Sequence, residues 1–282
     1  MSRTELLFID LHLHSHYSDG LLSPTDIIAL AVKRNLAAIS ITDHDTVAGT
    51  EEALFAAQPT QVEVIPGIEI STFHTDKEIH ILGYFIDHLN PVWDSFEVDF
   101  RKNREERARE ILNRLARIGI HIPFDLVKLR ANGGVIGRPH IADILVEEGK
   151  VFSFHEAFHK YLGDDKPAYV PKKVISPEQA VSFIKQAGGL AFVSHPAVNL
   201  TEKEVVDLVA CGLDGIETMH PKHTFQEMAF FRDIARRYGL LECGGSDCHG
   251  ARSGHIMMGY GYVPVNVLES IRQLVNHRNA IR

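Results

Sequence analysis

Seven short apolar runs in this chain each carry a histidine or an acid at or near their C-terminal ends. Nothing else in the sequence constrains the fold as strongly. The runs are "FIDLHLHS", "SITDHD", "PGIEIS", "EIHILGY", "FVSHP", "IETMHP" and "GGSDCHG". Histidines that merely satisfied a core would scatter between strand ends and faces. A shared end implies one convergent site.

The segments between these runs read as helices. In "SPTDIIALAVKRNL", Ser23 is placed to cap, Pro24 takes the first position and Asp26 sits in the first turn. Ile27, Ile28, Ala31 and Val32 follow helical spacing. Strands are expected over "ELLFIDLHLH", "AAISITDHD", "VEVIPGIEIST" and "EIHILGYFID", and again over "LAFVSHP", "LDGIETMH" and "LLECGGSDCHG". Repeated βα units of this length imply a parallel sheet, open or closed into a barrel. Barrel sites collect at the C-terminal strand ends. Between the two series the texture changes to helix. The organisation expected is residues 1–91 as the first part of the α/β unit, 92–168 as an inserted helical cap and 169–282 as the second part. In the cap, the run "RKNREERAREILNRLAR" reads as a solvated helix face, with i,i+4 pairs Glu105–Arg109 and Glu110–Arg114.

His12 and His14 are two apart on a strand and share a face, as do Asp247 and His249. Histidine is abundant, 17 of 282 residues, and is the commonest metal ligand. The candidate ligands are His12, His14, Asp19, His44, Glu69, His80, His195, Asp247 and His249. One catalytic ion takes about three protein ligands, so this set implies roughly two or three ions. Imidazole mixed with carboxylate, without thiolate, favours Mn, Fe or Zn over a cysteine-rich structural site. Asp10, Asp43 and Asp45 are expected to orient ligands, and His16 to stand outside the set.

The net charge of −8 argues against a long duplex nucleic acid as partner, because such binding rests on phosphate neutralisation. A small anionic substrate stays open, since bound cations reverse the local field. No stretch approaches the ~20 apolar residues of a membrane span, and the N-terminal run lacks the features of a signal peptide. With three cysteines and no CxxC, the chain reads as soluble and cytoplasmic, with no membrane partner.

Together, "DLHLHSHYSDG", "TDHD", "GIEIS", "HILGY", "SHP" and "GSDCHG" resemble the PHP (polymerase and histidinol phosphatase) superfamily. The resemblance implies an α/β fold, a distorted (β/α)7 barrel with an inserted small helical domain, and a three-metal site. It implies that His12, His14, Glu69 and Asp247 hold one ion. Glu69 would bridge to a second, held also by His80 and His195, and Asp19, His44 and His249 would hold the third. Asp19 stands where some members have histidine. The segments "GRPHIADILVEEG", "YLGDDKPAYVP" and "DGIETMHPKHT" resemble the branch that hydrolyses nucleoside 3′,5′-bisphosphates and nucleoside monophosphates, some of which trims short RNA from the 5′ end.

The function expected is hydrolysis of small phosphomonoesters by attack of a metal-activated hydroxide. Arg138 is the first choice for the phosphate clamp, because a guanidinium fork matches phosphate geometry. His140 would assist it, Lys172 and His223 are further substrate contacts, and His220 is placed to protonate the leaving group. The alternatives are 5′→3′ exoribonuclease action on short RNA, histidinol phosphatase activity, and a non-catalytic metal-binding accessory domain.

Overall fold

The computed structural model describes residues 7–281 except 76, 174, 199 and 253. Glu5 and Leu6 of the expected first strand lie outside them. The strands form two sheets. One, in the order β3-β2-β1-β9, holds β1 (Phe8–Leu13), β2 (Leu36–Ile41), β3 (Glu63–Val64) and β9 (Val263–Pro264). The other, β4 to β8 in order, holds β4 (Gly67–His74), β5 (Lys77–Tyr84), β6 (Leu190–Val193), β7 (Gly215–Met219) and β8 (Leu241–Gly244). Helix α1 (Pro24–Lys33) starts with Ser23 as the expected N-cap, which forms a capping box with Asp26. The helices α2 (Thr50–Ala57), α7 (Pro177–Gln186), α8 (Glu202–Ala210), α9 (Phe225–Tyr238) and α10 (Val265–Ile281) complete the alternation.

The architecture is therefore mixed α/β. The two sheets meet at isolated bridges instead of continuous ladders: His44 with Glu69 on one side and Leu13 with Cys248 on the other. One bridge lies just beyond the C-terminal end of β2, and the other is made by the last residue of β1. Asp45 N–H donates to the Glu69 carbonyl at 2.9 Å, and Asp247 N–H to the His12 carbonyl at 2.9 Å.

Three strand expectations change. "VEVIPGIEIST" is two strands, because Pro66 cannot donate to a ladder and the chain passes there from one sheet to the other. "LLECGGSDCHG" ends as a strand at Gly244, and the remainder, which carries the candidate ligands Asp247 and His249, is loop. β5 runs antiparallel to both β4 and β6. His80 lies in its first half, and reversal of the strand brings that half to the end where its neighbours terminate. The short α4 (Phe124–Ala131) and β9 were not expected.

Between β5 and α7 lie α3 (Val92–Arg117), α4, α5 (Arg138–Glu147), α6 (Phe154–Ala157) and a π-helical turn, Phe158–Leu162. From Ala108 to Ala168 these helices enclose a cluster of their own that includes Ile111, Leu115, Val127, Ile141 and Leu145. The start of α3 packs elsewhere: Trp93, Phe96 and Phe100 join the core beneath β4–β7. The basic run on α3 is not wholly solvated. Arg104 and Arg107 are 7 % and 8 % exposed. Glu110–Arg114 pairs at 3.3 Å, whereas Arg109 stacks on the Phe124 ring at 3.6 Å.

Candidate metal centre

Glu69 is the hub of the site. Its side chain is 1 % exposed, and its Oε2 has His12 Nε2, His14 Nε2 and His44 Nδ1 at 3.3, 3.2 and 3.1 Å. Its Oε1 has His80 Nδ1 and His195 Nε2 at 3.0 and 3.3 Å. Asp247 Oδ1 lies 3.6 Å from His12 Nε2 and 3.3 Å from His14 Nε2. Asp19 Oδ1 faces His249 Nε2 at 3.2 Å. All nine candidate ligands thus converge, from elements spread over most of the chain. Among the described residues, four overlapping groups present clustered ligand atoms: His14 with Asp19, His44 and His249; His12 with His14 and Asp247; His44 with Glu69 and His80; and His12 with Glu217 and His220. His16 is outside these groups and stacks on Tyr17.

Local sequence explains the placement. Asp43 accepts from Ser15 N–H at 2.7 Å, Ser15 Oγ at 2.5 Å and Ser18 Oγ at 2.6 Å, which fixes the turn that carries Asp19. Asp10 accepts from Ser246 N–H at 2.8 Å, Ser246 Oγ at 2.6 Å and Gly259 N–H at 2.7 Å, and so holds the loop that carries Asp247. Asp45 accepts from Ser71 N–H at 2.7 Å and from Arg104 Nε at 3.0 Å. His195 and Asp247 have φ of +27° and +52°. Such backbone strain in non-glycine residues concentrates at functional sites.

The donor set fits divalent ions. His12 Nε2, both ring nitrogens of His14, His44 Nδ1 and Glu69 Oε2 are buried without a hydrogen-bond partner among the described residues, although carboxylate oxygens lie close by. An unpaired buried polar atom is costly. Two ligands on one ion, each at about 2.1 Å, stand roughly 3.0–3.4 Å apart for octahedral to tetrahedral angles. The 3.0–3.3 Å spacings around Glu69 and between His14 and Asp247 fall in that range, and the 3.6 Å from His12 to Asp247 lies just above it. The cage also attracts positive charge. Burial opposes a charged His14, yet Asp247 and Glu69 raise it to about 10. Burial likewise opposes charge on His80, and Glu69 and Glu78 raise it to about 9. Burial lowers His44 and His195.

The partner of the second ring nitrogen sorts the histidines. His12 Nδ1 faces Glu217 Oε1 at 2.9 Å, His80 Nε2 faces Glu78 Oε1 at 3.0 Å, and His249 Nδ1 faces the Asp247 carbonyl at 2.9 Å. Donating there leaves the other nitrogen with a free lone pair, as metal-binding imidazoles require. His140 and His220 are the reverse. Each accepts a backbone N–H at Nδ1, from Gly137 at 3.0 Å and Lys222 at 3.1 Å. Their protons therefore sit on Nε2, a donor arrangement.

A cavity of about 600 Å³ opens beside Asp19, Asp247, His249 and His220. Lys222 and Arg252 line it, and sequence reasoning singled out neither. Lys222 Nζ pairs with Asp247 Oδ2 at 2.8 Å. Arg138 is set back from this cavity: it binds the Leu162 carbonyl at 3.1 Å and Asp164 at 2.9 Å, and lies over the Phe158 ring. Lys172 pairs with Glu78 and donates to Ser71 Oγ at 3.2 Å. His223 donates to the Thr218 carbonyl at 3.0 Å, and its Nε2 is unpartnered among the described residues. The sequence reading also missed Glu217, Glu78 and Arg104.

A family profile described as the PHP domain matches residues 10–115. A 5′-3′ exoribonuclease from Haemophilus influenzae is 37 % identical over 245 residues, which is 85 % of this chain and 89 % of that protein. A 3′,5′-nucleoside bisphosphate phosphatase from Chromobacterium violaceum is 37 % identical over 252 residues, 87 % of this chain and 88 % of that one. Among solved structures, one assigned as a metal-dependent phosphoesterase from Bifidobacterium adolescentis superposes with a TM-score of 0.87 at 30 % identity, covering 94 % of this chain and 95 % of that chain.

Proposed function

The chain belongs to the PHP domain family and is a metal-dependent phosphoesterase; on that premise we propose that it hydrolyses small phosphorylated nucleotides, nucleoside 3′,5′-bisphosphates first and nucleoside monophosphates second. The observation that carries this is Glu69, buried with five imidazole nitrogens within 3.3 Å, beside a cavity lined by Lys222 and Arg252. A relative that covers most of the chain is named for the bisphosphate activity.

The proposed ligands are His12, His14, Glu69 and Asp247 for one ion, Glu69, His80 and His195 for a second, and Asp19, His44 and His249 for a third, each Mn, Fe or Zn. Bound there, such ions lower the pKa of water and neutralise phosphate charge. The chain supplies the rest. His220 holds a proton on Nε2 at the cavity wall, the position from which it is donated to the leaving oxygen. His140, with its proton also on Nε2, offers a second donor. Lys222 adds cationic charge on the cavity side of Asp247. Arg138, Lys172 and His223 are kept as further substrate contacts in this proposal; each is engaged by protein groups in the structure, Arg138 by the Leu162 carbonyl, Lys172 by Ser71 and His223 by the Thr218 carbonyl.

Residues 92–168 are the inserted cap in this proposal, and the two sheets form the distorted (β/α)7 barrel. Among the described residues no helix is long and apolar enough to cross a membrane. A reducing, cytoplasmic setting accords with the free cysteines Cys211, Cys243 and Cys248. Exoribonuclease action on short RNA is the second reading, favoured by the Haemophilus influenzae relative.

A substrate panel tests the proposal. Metal-loaded protein is assayed on 3′-phosphoadenosine 5′-phosphate, AMP, histidinol phosphate and a short 5′-phosphorylated RNA. The bisphosphate is expected to give the highest kcat/KM. A preference for histidinol phosphate, or inactivity on all four, sinks it.

A further inference from the structure

The cavity has an aromatic side that phosphate chemistry leaves unused. Its volume of about 600 Å³ falls inside the ~300–1,000 Å³ range of small-molecule sites. Phe154 and Phe158 line it with Pro139, Pro221 and Met257. Both phenylalanines are only partly buried. They stand one helical turn apart, with ring centroids 5.1 Å apart. Phe158 opens the π-helical turn, whose five-residue hydrogen bond runs from Gly163 N–H to the Phe158 carbonyl at 2.8 Å. Such turns gather at functional sites.

One guanidinium ties this aromatic pair to the metal centre. Arg252 Cζ lies 5.0 Å from the Phe154 ring centroid. Its Nη2 donates to the Asp19 carbonyl at 2.7 Å, and its Nη1 pairs with Asp143 on α5. A second guanidinium, that of Arg138, lies 5.6 Å from the Phe158 centroid. The aromatic pair is therefore within one side chain's reach of a proposed ligand, and both rings are held by cations. Pro139, Phe154, Phe158 and Pro221 offer no side-chain hydrogen-bond donor or acceptor, and Met257 offers only a weakly accepting thioether.

We propose that Phe154 and Phe158 form a stacking shelf for the substrate's nucleobase while the phosphate sits at the metal centre. This rests on the nucleotide reading above and goes further, because it assigns the cap the role of recognising the base. Every base has a π-face, so a shelf without polar contacts accepts all of them and favours the larger purines.

The test compares wild type, Phe154→Ala, Phe158→Ala and Phe158→Trp on 3′-phosphoadenosine 5′-phosphate and on ribose 5-phosphate, all metal-loaded. Each alanine variant is expected to lose about 5- to 160-fold in kcat/KM on the bisphosphate, the range of base–aromatic stacking. Most of the loss should appear in KM, ribose 5-phosphate hydrolysis should stay within about twofold of wild type, and Trp should restore the bisphosphate rate. Equal losses on both substrates mean a merely structural role and overturn the shelf. Unchanged bisphosphate kinetics overturn it too, while the nucleotide reading survives. A wild-type protein that takes ribose 5-phosphate as well as it takes the bisphosphate overturns both.

Discussion

Glu217→Gln changes one atom in a side chain that is fully buried and does not line the cavity. Glu217 Oε1 faces His12 Nδ1 at 2.9 Å, and Oε2 accepts the His195 N–H at 2.7 Å. Burial disfavours its charge, but His12 draws it down to about 2, so it is ionised at neutral pH. Glutamine has one acceptor oxygen where two donors need one each. If its oxygen faces His12, its NH2 opposes the His195 N–H; if it flips, the NH2 opposes His12 Nδ1–H and reverses the tautomer. The first arrangement leaves a buried donor unpaired, at a cost of about 1–3 kcal/mol; the second moves the His12 proton to Nε2, the nitrogen that faces the metal site. Loss of a carboxylate that orients a metal-binding imidazole typically weakens metal affinity ~10- to 100-fold, or about 1.4–2.7 kcal/mol. Affinity is measured by competition with a coloured chelator, and metal content by elemental analysis after dialysis against graded metal buffers. Glu242→Gln, on the neighbouring strand and paired with Arg232 at 2.9 Å, is the control and should bind metal like wild type. A Glu217→Gln protein whose metal affinity is within about twofold of wild type refutes the orienting role.

Chelation should lower Tm as well as activity, because ions that bind only the folded state add about 2.7 kcal/mol at a hundredfold excess over Kd; differential scanning fluorimetry with and without Mn checks this, and an unchanged Tm contradicts a resident metal centre. Arg104→Met leaves Asp45, 1 % exposed, without its guanidinium partner, and should cost about 3–5 kcal/mol in urea unfolding. Gly245→Ala should yield metal-poor, less stable protein, since a Cβ there would stand 2.4 Å from both the His12 backbone nitrogen and its Cβ; normal metal content would show that the loop can yield.

Part of the candidate ligand set was legible because period-two alternation reports which face a strand residue occupies. His12 and His14 announced themselves that way. The same rule, applied to "KEIHIL", would have paired Glu78 with His80, which the structure joins at 3.0 Å. Applied to "GIETM", it would have flagged Glu217 as an acid inside a buried run, where it must meet a donor or a cation. Arg104 was hidden by its neighbours' charge, although Trp93, Phe96, Phe100, Arg104, Arg107 and Ile111 trace one stripe at helical spacing. Alternation does not report strand direction. Reversing β5 leaves its faces unchanged, so His80 was recognisable as a site residue while the antiparallel ladders were not. Nor does it report how two sheets meet. The joining is done by backbone groups at the His44–Glu69 and Leu13–Cys248 bridges, and backbone groups carry no side-chain signature. Because those bridges set His44 beside Glu69 and Asp247 beside His12, a substitution that breaks either seam should uncouple ligands contributed by the two sheets while leaving each strand's own pattern intact.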